Sequence, residues 1–413
     1  MTNPAFRSLR HRPFRRFFVG QTVSIIGFWT QVVALSWTVY RLTGSTQMLG
    51  LVAFCNSIPM LLVSPFAGVL VDRFDRRKVA LVTQSVQMLQ AAILAALSFT
   101  GTLRVEYIVA LALLYGVAWS FDAPARQALL PVMVGGRNDL PNAIALNSAI
   151  MNLGRFVGPA VAGALLAVLG EGGCFAVNAL SFLAVLPALW VLPPSRAGAV
   201  PTGLLRELGE GFAWVWHCRP ARRLLAGLVV TSFTLPTYMS MMPAFARDVF
   251  HGGAPLQGLL ISSAGAGALA GTALLSMRAS IRGLARIVTL TSPLGAVALT
   301  VFALSPWLAV ALPALAVVGF AVIVTAAGIN TVLQSIVEEH LRARVVSIYV
   351  MSFLGTAPLG SLALGVLARP FGVQAALAGF GIACLLLTGV LALRYPVLRR
   401  ELKDLYGRLG IGR

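Results

Sequence analysis

Asp72, Arg73, Arg76 and Arg77 crowd into one short segment behind Gly68, with long apolar runs on both sides. Charge packed that tightly between apolar runs marks a hairpin between two helices. Asp72 falls at a helix C-terminus, where an anion is unfavourable, so it requires a cation or the start of another helix as partner. Arg155 is the second informative charge. It lies near the middle of an apolar run, where an arginine costs ~2.5–3.5 kcal/mol on insertion scales and must face a partner or water. No Asp or Glu lies deep in any apolar run. Backbone carbonyls, Asn147, Asn152 or an anionic ligand remain for Arg155, and a ligand contact and a structural hydrogen bond weigh equally. Around it, Gly154, Gly158 and Gly163 permit close approach of another helix. Pro159 removes a backbone hydrogen bond and bends the run.

Bond-making chemistry is missing. There is no nucleophile–base–acid set, no P-loop and no phosphate-binding glycine fingerprint, so neither an enzyme nor a cofactor is expected. The four histidines (His11, His217, His251, His340) fall in loops or tails. The four cysteines (Cys55, Cys174, Cys218, Cys384) are scattered without a C-x-x-C, which argues against a metal site and a disulfide framework. The polar and aromatic residues within apolar runs read instead as a binding cavity: Trp29, Gln31, Asn56, Tyr115, Trp119, Asn152, Arg155, Thr234, Tyr238 and Thr356. Aromatics and the nearby Met239, Met241 and Met242 suit a bulky, partly apolar small molecule. For any single one of them, lipid contact or helix packing is the plainer reading.

The elements that must hold these residues follow from composition. Of 413 residues, 58% are hydrophobic and 11% are charged, against about 25% charged in a soluble domain. Only helices bury such runs in lipid without exposing backbone. Spans are expected near 17–42, 47–71, 79–100, 105–121, 143–169, 173–192, 224–246, 255–276, 287–304, 307–331, 345–368 and 374–393. Net charge is +19, but its placement excludes nucleic acid as the partner. Of 32 Lys/Arg, only Arg41, Arg104, Arg247 and Arg369 fall in one set of loops, and Arg155 lies in a span. The rest share the other set. That asymmetry places both termini in the cytoplasm and basic residues against membrane lipids.

The expected organisation is a six-span half over 1–192, a linker over 193–223, and a second six-span half with a basic tail over 224–413. Residues 204–216 of the linker read as an amphipathic helix at the membrane surface. The halves echo each other: residues 140–163 align with 341–364, which sets Gly154 on Gly355. Repetition of six-span halves is a property of transporter folds.

The segment 68–78 resembles the loop between spans 2 and 3 of the major facilitator superfamily, G-x-x-x-D-R/K-x-G-R/K-R/K, with Asp75 in place of the second glycine. The span 5 run resembles the exporter and antiporter motif G-x-x-x-G-P-x-x-G-G, with Ala162 replacing one glycine. Segments 36–45, 124–131, 142–143 and 341–345 resemble the branch that contains the enterobactin exporter. The resemblance covers nearly the whole chain. It implies an all-α fold of twelve spans in a bacterial cytoplasmic membrane, working as a monomer. It also implies a latch in which Asp72, through Arg76, joins Asp122 at the end of span 4. Export of an amphipathic small molecule by alternating access, with a proton as coupling ion, is the implied activity. A lysophospholipid flippase and a non-transporting sensor or scaffold are the alternatives.

Overall fold

The computed structural model describes residues 4–136, 138–195, 204–278 and 280–408, and among these it contains helices and no strands. Fifteen α-helices follow in order: α1 Arg12–Thr43, α2 Thr46–Arg73, α3 Arg76–Phe99, α4 Val105–Met133, α5 Leu140–Trp190, α6 Leu204–His217, α7 Arg219–Thr234, α8 Tyr238–Ala244, α9 Ala254–Ser276, α10 Leu284–Leu304, α11 Leu308–Ile336, α12 Arg342–Leu354, α13 Thr356–Phe371, α14 Val373–Leu393 and α15 Tyr395–Arg408. Eleven helical runs among the described residues are long and apolar enough to cross a membrane. α7 and α8 form one of these runs, and α12 and α13 another.

α5 counts twice. Its 51 residues would span about 76 Å if straight, far beyond a hydrocarbon layer of about 30 Å. The helix breaks at Gly170, whose φ of +67° is open to glycine but strained for other residues. Before the break, Gly154 and Gly158 pack on Ile25 and Trp29 of α1. Beyond it, Asn178 bonds to Gln31, while Ser181 and Ala184 pack on Gly27 and Gly20. The first segment therefore runs parallel to α1 and the second antiparallel. The chain reverses at Gly170, which brings the runs able to cross a membrane to twelve among the described residues.

Two compact units result, residues 1–201 with 251–262, and residues 202–250 with 263–413. The first encloses a core that includes Phe14, Phe17, Val71, Ala125, Leu129 and Val185. The second encloses one that includes Leu224, Leu228, Val288, Ile329, Val332 and Ile348. Val215 of α6 and Leu398 and Leu402 of α15 also lie in the second core. The surface amphipathic helix thus packs one apolar face on its own unit, while Phe212 and Trp216 stay exposed. Leu62, Leu89, Leu386 and Leu393 are exposed as well. In water they would be a liability; in a multi-pass membrane protein they meet lipid.

α4 corrects one expected boundary. The span was expected to end at Phe121, yet the helix continues through Pro124 and Pro131 to Met133. Asp122 therefore lies within a helix and not at its end.

Candidate functional site

Three helices of the first unit turn polar faces toward one another. On α4, Tyr115, Trp119, Asp122 and Arg126 recur at helical spacing, as do Gln21, Ser24 and Phe28 on α1 and Gln84 and Gln87 on α3. Together they line one cavity. Asp122, at 1% exposure, meets Arg126 Nε at 2.7 Å. Thr83 Oγ1 donates to its carboxylate at 3.3 Å, and the Gln84 side chain is a further hydrogen-bond partner. Arg126 also donates to Gln21 Oε1 at 2.9 Å and lies 5.2 Å from the Trp119 ring centre. Trp119 stacks between Tyr115 and Phe28, at 6.0 and 5.8 Å.

A buried ion pair persists only where other hydrogen bonds and good geometry offset its desolvation. Here two amide atoms stay unsatisfied: Gln84 Oε1 and Gln87 Nε2 are buried without a hydrogen-bond partner. The cavity measures about 30 Å³, which holds about one or two waters. Next to it runs an amide chain. Gln31 donates to Gln90 Oε1 at 3.1 Å, and Asn178 donates to Gln31 Oε1 at 2.8 Å.

The other expected residues divide. Gly68 and Asp72 lie in α2, with side chains outside the described set. Arg73 is exposed, and Arg77 lies 5.5 Å from the Trp190 ring centre. Asp75, the residue that departs from the loop pattern, caps α3. Its Oδ1 accepts from Arg77 N at 3.0 Å and from Ser195 N at 3.1 Å. The Arg76 backbone N–H donates to Ser195 O at 2.9 Å. In α5, a Cβ at Gly158 would fall 2.5 Å from Trp29, and one at Gly163 would fall 2.7 Å from Ala254 O. Pro159 is buried beside them, and Arg155 is exposed with no hydrogen bond or ion pair among the described residues.

Trp29 is buried with its ring edge on Phe28. Asn56 lies against Gly116 through its carbonyl, and Asn152 is half-buried. Thr234, Tyr238 and Thr356 belong to the second unit. The two threonines each donate to a backbone carbonyl one turn back, at 2.7 Å.

Gln21, Gln84, Gln87, Gln90, Arg126 and Asn178 join the site without being among the residues expected there. A signal was present: glutamines at 84, 87 and 90 share one face of an expected span. Amides repeated on one face of a membrane helix point at protein and not at lipid.

Residues 3–409 match the transmembrane secretion effector family. Among curated relatives, the chain is 31% identical to the multidrug efflux pump Tap of Mycolicibacterium fortuitum, over 89% of this chain and 92% of that one. It is 26% identical to the staphyloferrin A transporter of Staphylococcus aureus, over 94% and 96%. Among solved structures, a bacterial homolog of the human lysosomal transporter Spinster superposes with a TM-score of 0.70, at 14% identity over 97% of this chain and 99% of that one.

Proposed function

The chain belongs to the transmembrane secretion effector family of the major facilitator superfamily, and on that premise we propose that it exports amphipathic small molecules by alternating access, driven by protons. The observation that carries this reading is the Asp122–Arg126 pair, a charge pair buried with amides inside a bundle of spanning helices, where ionisable groups are costly and mark function. The roles of the relatives, multidrug efflux and transport of staphyloferrin A, agree with export of such molecules.

Arg155 serves as a cargo contact, because it is a mid-span cation with no partner of its own among the described residues. The hairpin at 68–77 acts as a latch on the basic ends of the helices, with Asp72, Arg73, Arg76 and Arg77 as its charges, Gly68 as its close-packing residue and Asp122 of α4 as the acid it reaches when that side closes. The same exposed Arg155, flanked by exposed Leu153, Phe156 and Val157, favours a second reading, a flippase that holds a lysophospholipid phosphate.

Purified protein in proteoliposomes tests both. Ethidium movement down an imposed pH gradient, faster than in protein-free vesicles, is the expected result. Acceleration of lysolipid transfer alone would favour the flippase, and no acceleration of either solute would overturn transport.

A further inference from the structure

The cavity around Asp122 is too small for an amphipathic solute at about 30 Å³. Its polar groups nevertheless converge. The charged and titratable groups that face the carboxylate can be counted by element. α4 itself contributes Arg126 and Tyr115. α3 contributes only neutral groups, Thr83, Gln84 and Gln87; α1 contributes Gln21 and Ser24; and α5 contributes Asn178, Met151 and Phe182. At Gly116 of α4, α2 approaches through Asn56 and Pro59, which carry no charge. Among the described residues that line the cavity, one acid and one strong base therefore set its net charge.

We propose that Asp122 is the group that takes up and releases the coupling proton, with Arg126 as the counter-charge that changes partner; this rests on the exporter reading above. Three features of the cavity fit the task. The volume admits about one or two waters, which is enough to relay a proton and nothing larger. Gln84 Oε1 and Gln87 Nε2 are a buried acceptor and a buried donor without partners, so they hold such a water beside the carboxylate. Arg126 keeps Gln21 Oε1 and the face of Trp119 as partners when Asp122 is neutral.

The step balances simply. A carboxylate oxygen of Asp122 accepts a proton from a hydronium in the cavity, an O–H bond forms, and water remains. The new hydroxyl donates to the water that remains. The ionic contact to Arg126 loses its negative partner, and the cavity passes from neutral to a single positive charge. Release reverses each change. In a low-dielectric bundle that charge disfavours a nearby cation. The proton and a cationic amphiphile such as ethidium therefore exclude one another, which is the requirement for antiport of that class of cargo; an anionic cargo would draw on Arg155 instead.

Two measurements on the full chain test this. The first is an infrared pH titration of purified protein in lipid, read at the carbonyl stretch of a protonated carboxyl. Wild type shows a band that grows on acidification; Asp122→Asn loses it, and Asp122→Glu restores it at a shifted frequency. The second is ethidium efflux from proteoliposomes with and without an imposed pH gradient. Asp122→Asn loses the gradient-driven component, and Asp122→Glu recovers part of it. Should Asp122→Asn fail to fold, the shifted band in Asp122→Glu carries the test. An unchanged band in either variant, or gradient-driven efflux undiminished in Asp122→Asn, overturns the proposal. Wild-type vesicles that move ethidium no faster than protein-free ones overturn the exporter reading instead, and the infrared band still decides the proton site.

Discussion

At the scale of single residues, the first unit is held by side chains whose partners are few and buried. Gln31 accepts from Asn178 and donates to Gln90, and all three are buried. Gln31→Leu would strand one donor and one acceptor, at about 1–3 kcal/mol for each unsatisfied group. We expect a melting temperature lower by several degrees in detergent, read by intrinsic fluorescence, and an unchanged melt would show that water replaces the amide. Arg155 makes the opposite prediction. It is exposed and bonds to nothing among the described residues, so Arg155→Ala should leave the melt nearly unchanged and weaken binding of an anionic ligand more than a neutral analogue. Arg155→Lys should recover little where the contact is bidentate, because an ammonium lacks the planar fork. Equal losses for both ligands with a lowered melt would make Arg155 structural. Tyr115, Trp119 and Gln31 were legible in the sequence as polar or aromatic residues within apolar runs. Arg126 was not, because hydropathy counts Asp122 and Arg126 as two charges, whereas one helical turn lets them neutralise each other.

At the scale of elements, the helices were legible from apolar length, and their ends and joins were not. α5 appeared in the sequence as two spans with a break near 170–172, and the φ of Gly170 is the physical cause of that break. The full length of α4 is hidden in the sequence because Asp122, Pro124 and Arg126 lower local apolarity, although the helix tolerates both the pair and the proline. Close packing in α5 gives the sharpest element-scale test. Gly158→Leu would drive a branched side chain into the Trp29 ring, and overpacking of this kind costs about 1–3 kcal/mol or more. The expected outcome is correct membrane insertion with transport lost, and normal flux would place that face of α5 against lipid. The start of α1 is clamped in another way. Asp139, ahead of α5, accepts from His11 at 2.7 Å and from Arg10 at 2.7 Å. Those bonds, with His11 first, hold its carboxyl below the ordinary value of 3.8. A lowered carboxyl contributes stability that is present above 3.8 and is lost as pH falls through the native value. Asp139→Asn should therefore lower the melting temperature at neutral pH, and its melt should converge with wild type only in strong acid. Convergence already at neutral pH would show that the clamp contributes nothing.

At the scale of the whole molecule, the two units solve burial with different chemistry. The first buries an ion pair and a run of amides. The second joins α7, α10 and α11 through hydroxyls, with Thr231 3.0 Å from Ser292 and Ser292 3.1 Å from Thr325. Hydroxyls do not titrate in the working range, so the first unit alone supplies charge to the bundle among these buried networks. Repetition between the halves was legible in the sequence. This asymmetry was not, because it depends on which polar residues meet. Orientation in the membrane follows from charge at the two ends of the first unit. Arg41 and Glu171 bond to each other at one end, near Gly170 and the α3–α4 turn. Arg10 and Asp139 bond at the other, the end that also carries Arg73, Arg76, Arg77 and Lys78. Cations gather on the cytoplasmic side of membrane proteins, so the end near Lys78 should face the cytoplasm and the end near Thr102 should face outward. Both positions are exposed, whereas Cys55, Cys174 and Cys384 are buried and Cys218 is half-buried. With Cys218→Ser as background, Thr102→Cys should react with a membrane-impermeant maleimide in intact cells, and Lys78→Cys only after permeabilisation. The reverse pattern would invert the molecule in the membrane and turn the proposed direction of transport with it.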